Sequence, residues 1–140
     1  MRVSNFRKYK NSPWIDLKAI NCFVGTNGSG KSTMVKAYLL LYAYLKANKL
    51  FEIDFSHELF QSLYVQSFEE LCCKQDAGNE LVKIELDIHE VEYELHLTAH
   101  PLPGFAKVAY LKIDNPHEQV KYEFFQNDEL AQKTGYDKQI

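Results

Sequence analysis

The sequence predicts an α/β fold: a mixed core sheet that feeds one long helix, with an antiparallel β-subdomain after it. Three observations predict it. A glycine-rich run at residues 25–33, G-T-N-G-S-G-K-S-T, lies between an apolar segment and a helical one. The helical segment, from Lys31 to about Asn48, contains neither Gly nor Pro. Residues 82–97 then change to a period of two, with one phase slip at His89 and Glu90.

Each element follows from local pattern. Residues 2–7 read as a first strand and residues 13–18 as a second, with Asn11, Ser12 and Pro13 as turn signals between them. Residues 19–24, apolar and ending at Gly25, read as a buried parallel strand. The helix carries Met34, Val35, Tyr38, Leu39, Tyr42 and Leu45 on helical spacing. Leu40, Leu41 and Ala43 fill other faces, which predicts burial on more than one side. Residues 51–55 read as a short extended or irregular piece. Residues 57–73 read as a second helix, because Leu59, Phe60, Leu63, Tyr64, Phe68 and Leu71 recur at threes and fours. Residues 76–79 form a turn. Val82, Ile84, Leu86 and Ile88, then Val91, Tyr93, Leu95 and Leu97, alternate with polar residues as a half-exposed hairpin does. Residues 100–104 form a loop, residues 106–113 and 119–125 two further strands, and residues 126–140 a polar tail. The length of 140 residues suits one domain, organised as a core (1–50), a helical segment (51–79), a β-subdomain (80–125) and the tail (126–140).

The run at 25–33 fits G-x-x-x-x-G-K-S/T, a loop that cradles nucleotide phosphates. Gly25, Gly28 and Gly30 allow tight backbone and close approach to a ligand. The N–H groups from Asn27 through Ser29 to Ser32 can then converge as an anion nest. Lys31 places a compact charge on the β- and γ-phosphates. The Ser32 hydroxyl suits Mg²⁺, and the following helix adds its partial positive N-terminus.

Gross composition narrows the partners. Net charge is −3, but residues 1–50 hold nine Lys/Arg against one acid, Asp16, and residues 51–140 hold seven against eighteen. The basic half contains the loop, which suits an anionic ligand, and nucleic acid could approach it too. The chain as a whole lacks the basic balance of a dedicated nucleic-acid binder. No apolar window reaches the length of a membrane span and no apolar run follows the N-terminal charges, so a cytoplasmic protein is expected. Cys22, Cys72 and Cys73 read as reduced, mostly buried thiols, without C-x-x-C spacing. His89, His96, His100 and His117 read as solvated or turn residues in preference to a metal cluster. Glu85, Asp87, Glu90, Glu92 and Glu94 read as a solvent-facing sheet surface.

Residues 3–9 (V-S-N-F-R-K-Y), 15–17 (I-D-L) and 21–33 together resemble the start of ABC-type ATPase heads of the SMC, RecF and OLD-nuclease lineage of AAA-labelled ATPases. Thr26 stands where that family usually has proline. The likeness is strong over residues 1–45 and architectural over 80–125. It implies a P-loop NTPase half-head in which Lys31, Ser32 and Thr33 serve ATP phosphates and Mg²⁺, and Asn27 sits near the γ-phosphate. It further implies that Arg7 or Lys8 flanks the nucleotide and offers Gln126, among several glutamines, as the glutamine-loop residue. A Walker B strand is not present: the nearest run, residues 109–114, is interrupted by Lys112 and lacks a Glu after Asp114. No two glycines are adjacent, so no Leu-Ser-Gly-Gly-Gln signature exists. The expectation is therefore an N-terminal lobe that binds ATP and hydrolyses it only with a C-terminal lobe and a second head, with DNA as a further partner.

Two other readings compete. One is a non-catalytic nucleotide-binding or assembly module. The other is a small P-loop kinase or GTPase. Against the latter, no Asp has a Gly three residues on, no N-K-x-D occurs, and no Arg follows Arg7 to build a kinase lid.

Overall fold

A computed structural model describes residues 1–26, 30–74 and 81–125. Seven strands and one long helix make up most of it. In chain order they are β1 (Arg2–Phe6), β2 (Tyr9–Asn11), α1 (Lys31–Ala47), β3 (Glu52–Asp54), a 3-10 segment (Glu58–Leu63), β4 (Val82–Ile88), β5 (Val91–Ala99), β6 (Phe105–Asn115) and β7 (Val120–Phe125).

The strands form one sheet in the order β2-β1-β4-β5-β6-β3, with β7 also paired to β6. β3 takes the Phe105 to Lys107 end of β6 and β7 takes its Tyr110 to Asn115 end. Every pairing is antiparallel. The predicted mixed core sheet is thus corrected among the described residues. The core and the β-subdomain are continuous, because β1 pairs directly with β4 through Val3 and Ile84.

The predicted parallel strand at 19–24 is not a strand. Ile20 and Val24 are 88% and 84% exposed, and only Phe23 is partly covered. An apolar run becomes a strand only where a neighbour takes up its N–H and C=O groups, and no described strand lies beside it. Residues 13–18 are likewise irregular; the partner of β1 is the shorter β2, which starts at Tyr9. Ile15 instead anchors this stretch: its N–H donates to the Met1 carbonyl at 2.8 Å and its carbonyl accepts from the Met1 amine at 2.5 Å.

The hairpin follows the sequence closely. His89 and Glu90 have φ of 51° and 66°, and Ile88 pairs with Val91. Two consecutive positive φ values are what a two-residue turn needs to match strand twist. Val82, Ile84, Leu86, Leu95 and Leu97 are buried on the inner face, with Met34, Ala37, Leu40 and Leu41 of α1 in the same core. In β6 the inward phase changes from Ala106 and Val108 to Leu111. Leu97 pairs with Val108 and His96 with Tyr110, so Ala109 is the extra residue of a bulge.

Two expectations about helices change. α1 buries one broad side, whereas Val35, Tyr38 and Tyr42 are exposed on the other. Residues 57–73 form a 3-10 segment followed by separate turns. Its bonds run i to i+3: Phe60 N–H to the His57 carbonyl, Tyr64 N–H to Gln61 and Leu71 N–H to Phe68. The predicted turn at 76–79 and the tail at 126–140 lie outside the described residues.

Candidate functional site

The helix begins where the motif requires. α1 starts at Lys31, and Gly30 is its N-cap with φ 95° and ψ 8°, a left-handed conformation. The Met34 N–H donates to the Gly30 carbonyl at 3.3 Å, the first bond of the helix. No side chain caps this end, and its first turn has no acid. The first-turn N–H groups are therefore left for an anion.

The Lys31 side chain reaches Gly25. Its Nζ donates to the Gly25 carbonyl at 2.6 Å. This contact closes a ring between the first glycine of the motif and its lysine, with residues 26–30 between them. Gly25, Thr26 and Ser32 are exposed, whereas Thr33 is buried in the core at 2% exposure. Asn27, Gly28 and Ser29 lie outside the described residues. The structure thus brings together Gly25, Gly30, Lys31 and Ser32. It turns Thr33 inward, so only its backbone is left to face a ligand.

The basic residues after β1 are close to this end of the helix. The Lys36 ammonium, one turn beyond the loop, is held below its ordinary value by burial and by the charge of Arg7. The Arg7 N–H donates to the Leu71 carbonyl at 2.6 Å and its guanidinium reaches the Glu70 carbonyl at 3.5 Å. Lys8 is exposed at the hairpin tip. Gln126 lies outside the described residues. Asp114, the nearest Walker-B-like acid, sits in β6 opposite Glu92 and Lys121 in an antiparallel ladder.

Two residues escape a reading by motif. Tyr9 of β2 stands against Gly30. Asn5 is fully buried with φ 51°; its Oδ1 accepts from the Cys73 N–H at 3.0 Å and its Nδ2 donates to the Leu81 carbonyl at 3.3 Å. Asn5, Phe6 and Arg7 therefore act as one unit, in which a buried Phe6 is flanked by two left-handed residues tied to the 70–73 segment. An asparagine that takes a left-handed conformation is a recognisable signal, but its partner 68 residues away is not.

The other sequence candidates resolve simply. Cys73 is buried, Cys72 is intermediate and Cys22 is exposed, which corrects the expectation of mostly buried thiols for Cys22. Among the described residues no His, Cys, Asp and Glu group could hold a metal ion. Glu85, Asp87, Glu90, Glu92 and Glu94 lie on the outer side of the hairpin, exposed or half-buried, as expected. No described helix is long and apolar enough to cross a membrane.

A polyphosphate with its magnesium fits this donor set. A lysine ammonium, an exposed serine hydroxyl and uncapped helix N–H groups follow one another at the start of α1, directly after a glycine that packs against Tyr9. The family profile of the AAA ATPase domain matches residues 1–139. The chain belongs to that family, and with it to the P-loop ATPases that bind ATP, usually with Mg²⁺. No curated protein and no solved structure gives a significant match.

Proposed function

We propose that this chain is the ATP-binding N-terminal lobe of an ABC-type ATPase of the SMC, RecF and OLD-like lineage. The observation that carries the reading is the loop at 25–33, with α1 starting at Lys31 and the Lys31 ammonium folded onto Gly25. Gly25, Asn27, Gly28, Ser29 and Gly30 supply backbone donors to the phosphates. Lys31 exchanges its contact with the Gly25 carbonyl for the β- and γ-phosphates and holds them as a point charge. Ser32 offers its hydroxyl to Mg²⁺, and Thr33 contributes its N–H. The metal, when bound, neutralises developing charge on the phosphates.

Hydrolysis in this reading needs more than these residues. A C-terminal lobe supplies Walker B, and a second head supplies the signature motif across a shared nucleotide. The exposed apolar run at Ile20 and Val24, beside the loop in sequence, supports a neighbouring lobe: it has strand composition and no strand partner among the described residues. The division into core, helical segment, β-subdomain and tail belongs to the same proposal. DNA handling, DNA repair or phage defence in the cytoplasm is the setting that the lineage suggests, with DNA as a partner.

Calorimetric titration with Mg-ATP tests the reading. Lys31→Ala is expected to abolish binding while the melting curve stays that of the parent, since Lys31 has its ammonium on an exposed loop contact. Undiminished affinity in Lys31→Ala would sink the proposal.

A further inference from the structure

We infer that Tyr9 is a positioning residue for the phosphate loop, acting through the backbone of Gly30. A Cβ built on Gly30 would lie 2.6 Å from the Tyr9 phenol oxygen and 3.0 and 3.1 Å from Cζ and Cε2 of its ring. The tyrosine therefore fills the space at the residue where loop becomes helix. Two constraints meet there. The φ of 95° already favours glycine. The far end of the Tyr9 ring then packs where a side chain at that position would lie.

Tyr9 is itself anchored. It pairs with Phe6 across the β1–β2 hairpin, and Phe6 is buried at 1% exposure. β1 is tied to β4 on its other side, and the Arg7 N–H binds the Leu71 carbonyl. The wedge thus connects the central sheet to the start of α1. Lys31 follows Gly30 directly, so a shift of Gly30 re-aims the Lys31 side chain and the first helix N–H groups together. Binding groups need to be held within about 0.5 Å of their working geometry by packing around them. Tyr9 supplies the nearest of that packing at Gly30 among the described residues.

This rests on the reading of residues 25–33 as a phosphate loop, and it assigns Tyr9 to the phosphates, not to a base. Affinities for Mg-ATP and for magnesium with inorganic tripolyphosphate separate the two. Tyr9→Ala is expected to weaken both ligands by the same factor, on the order of tenfold. Tyr9→Phe keeps the ring and restores both; Tyr9→Leu replaces Tyr9→Ala if the alanine variant does not fold. Loss of ATP binding alone places the ring on the nucleobase and overturns the inference, as does unchanged affinity for both. If the parent chain takes up neither anion, or Lys31→Ala retains both, it is the nucleotide reading that fails. The wedge is then read from melting. Gly30→Ala is expected to lower Tm more in the parent than in a Tyr9→Leu background, and equal losses overturn the inference.

Discussion

Asn5 shows how much one side chain can organise. It has no exposed surface, yet its amide carries one hydrogen bond to each side of the 74–80 stretch, at Cys73 and Leu81. Its φ of 51° costs less for asparagine than for most residues. Asn5→Ala removes both side-chain bonds and keeps the strained dihedral, while the Cys73 N–H retains the Asn5 backbone carbonyl at 3.3 Å. The expected loss is about 1–3 kcal/mol in urea unfolding. Asn5→Gly relieves the dihedral only, so it is expected to fall between the two. If alanine and glycine both leave the unfolding midpoint where it was, the side-chain clamp contributes nothing. At the loop, the start of α1 at Lys31 with Gly30 as its N-cap was legible in the sequence, because the glycine spacing is itself the signal for that turn; what Gly25, Lys31 and Ser32 bind belongs to the proposal above. Tyr9 and Asn5 were not legible in the same way, because their roles depend on pairing across the hairpin and on contacts far along the chain.

Among the elements, success followed locality. The β4–β5 hairpin carries its alternation and its turn within one stretch and α1 its length within one segment, so both elements could be read directly. The buried side of α1 could not, since Val35, Tyr38 and Tyr42 on its apolar period are exposed. Nor could the segments 13–18 and 19–24, since a strand is defined by a partner: among the described residues, 13–18 hydrogen-bond to Met1 only through Ile15, and no strand pairs with 19–24. The 57–73 segment misled for a subtler reason: a spacing of threes and fours serves 3-10 turns as well as an α-helix, and here Phe60, Leu63, Phe68 and Leu71 reach the core through successive i to i+3 turns. On the outer face of the hairpin, the His96 imidazole is 2.8 Å from the Glu94 carboxylate and packs on Tyr110 at a centroid distance of 4.8 Å. The hydrogen bond from His96 is the main cause that holds the Glu94 carboxyl below the ordinary value of 4.5, partly offset by burial. A carboxyl depressed in the folded state stabilises the fold above its unfolded pKa, and that contribution is lost as pH falls through the folded value. His96→Val is expected to move the Glu94 carboxyl titration upward in NMR. The acid-side dependence of stability contributed by Glu94 should flatten with it. A Glu94 titration unmoved by the substitution would remove His96 as the cause.

At the scale of the molecule, the sheet and α1 enclose one core but leave an apolar surface uncovered. Val35, Tyr38 and Tyr42 stand at i, i+3 and i+7 on the side of α1 turned away from that core, at 43%, 38% and 48% exposure. A cleft of about 590 Å³ runs beside them, lined by Leu17, Phe23, Met34, Val35, Tyr38 and Ile88 among others. Single exposed apolar residues are ordinary, but a contiguous set on one side of a helix offers a surface on which another body can dock. This is the side on which a second lobe would complete the site under the function proposed above. The whole-molecule consequence is measurable without that lobe. The chain is expected to bind an apolar dye such as ANS and to self-associate with rising concentration. Val35→Lys combined with Tyr42→Lys should suppress both while the unfolding free energy stays within about 0.5 kcal/mol of the parent, because neither side chain contributes to the core. If dye binding persists in the double variant, the uncovered surface lies elsewhere. If the substitutions unfold the chain instead, this face of α1 is packed in solution, and no partner is needed to cover it.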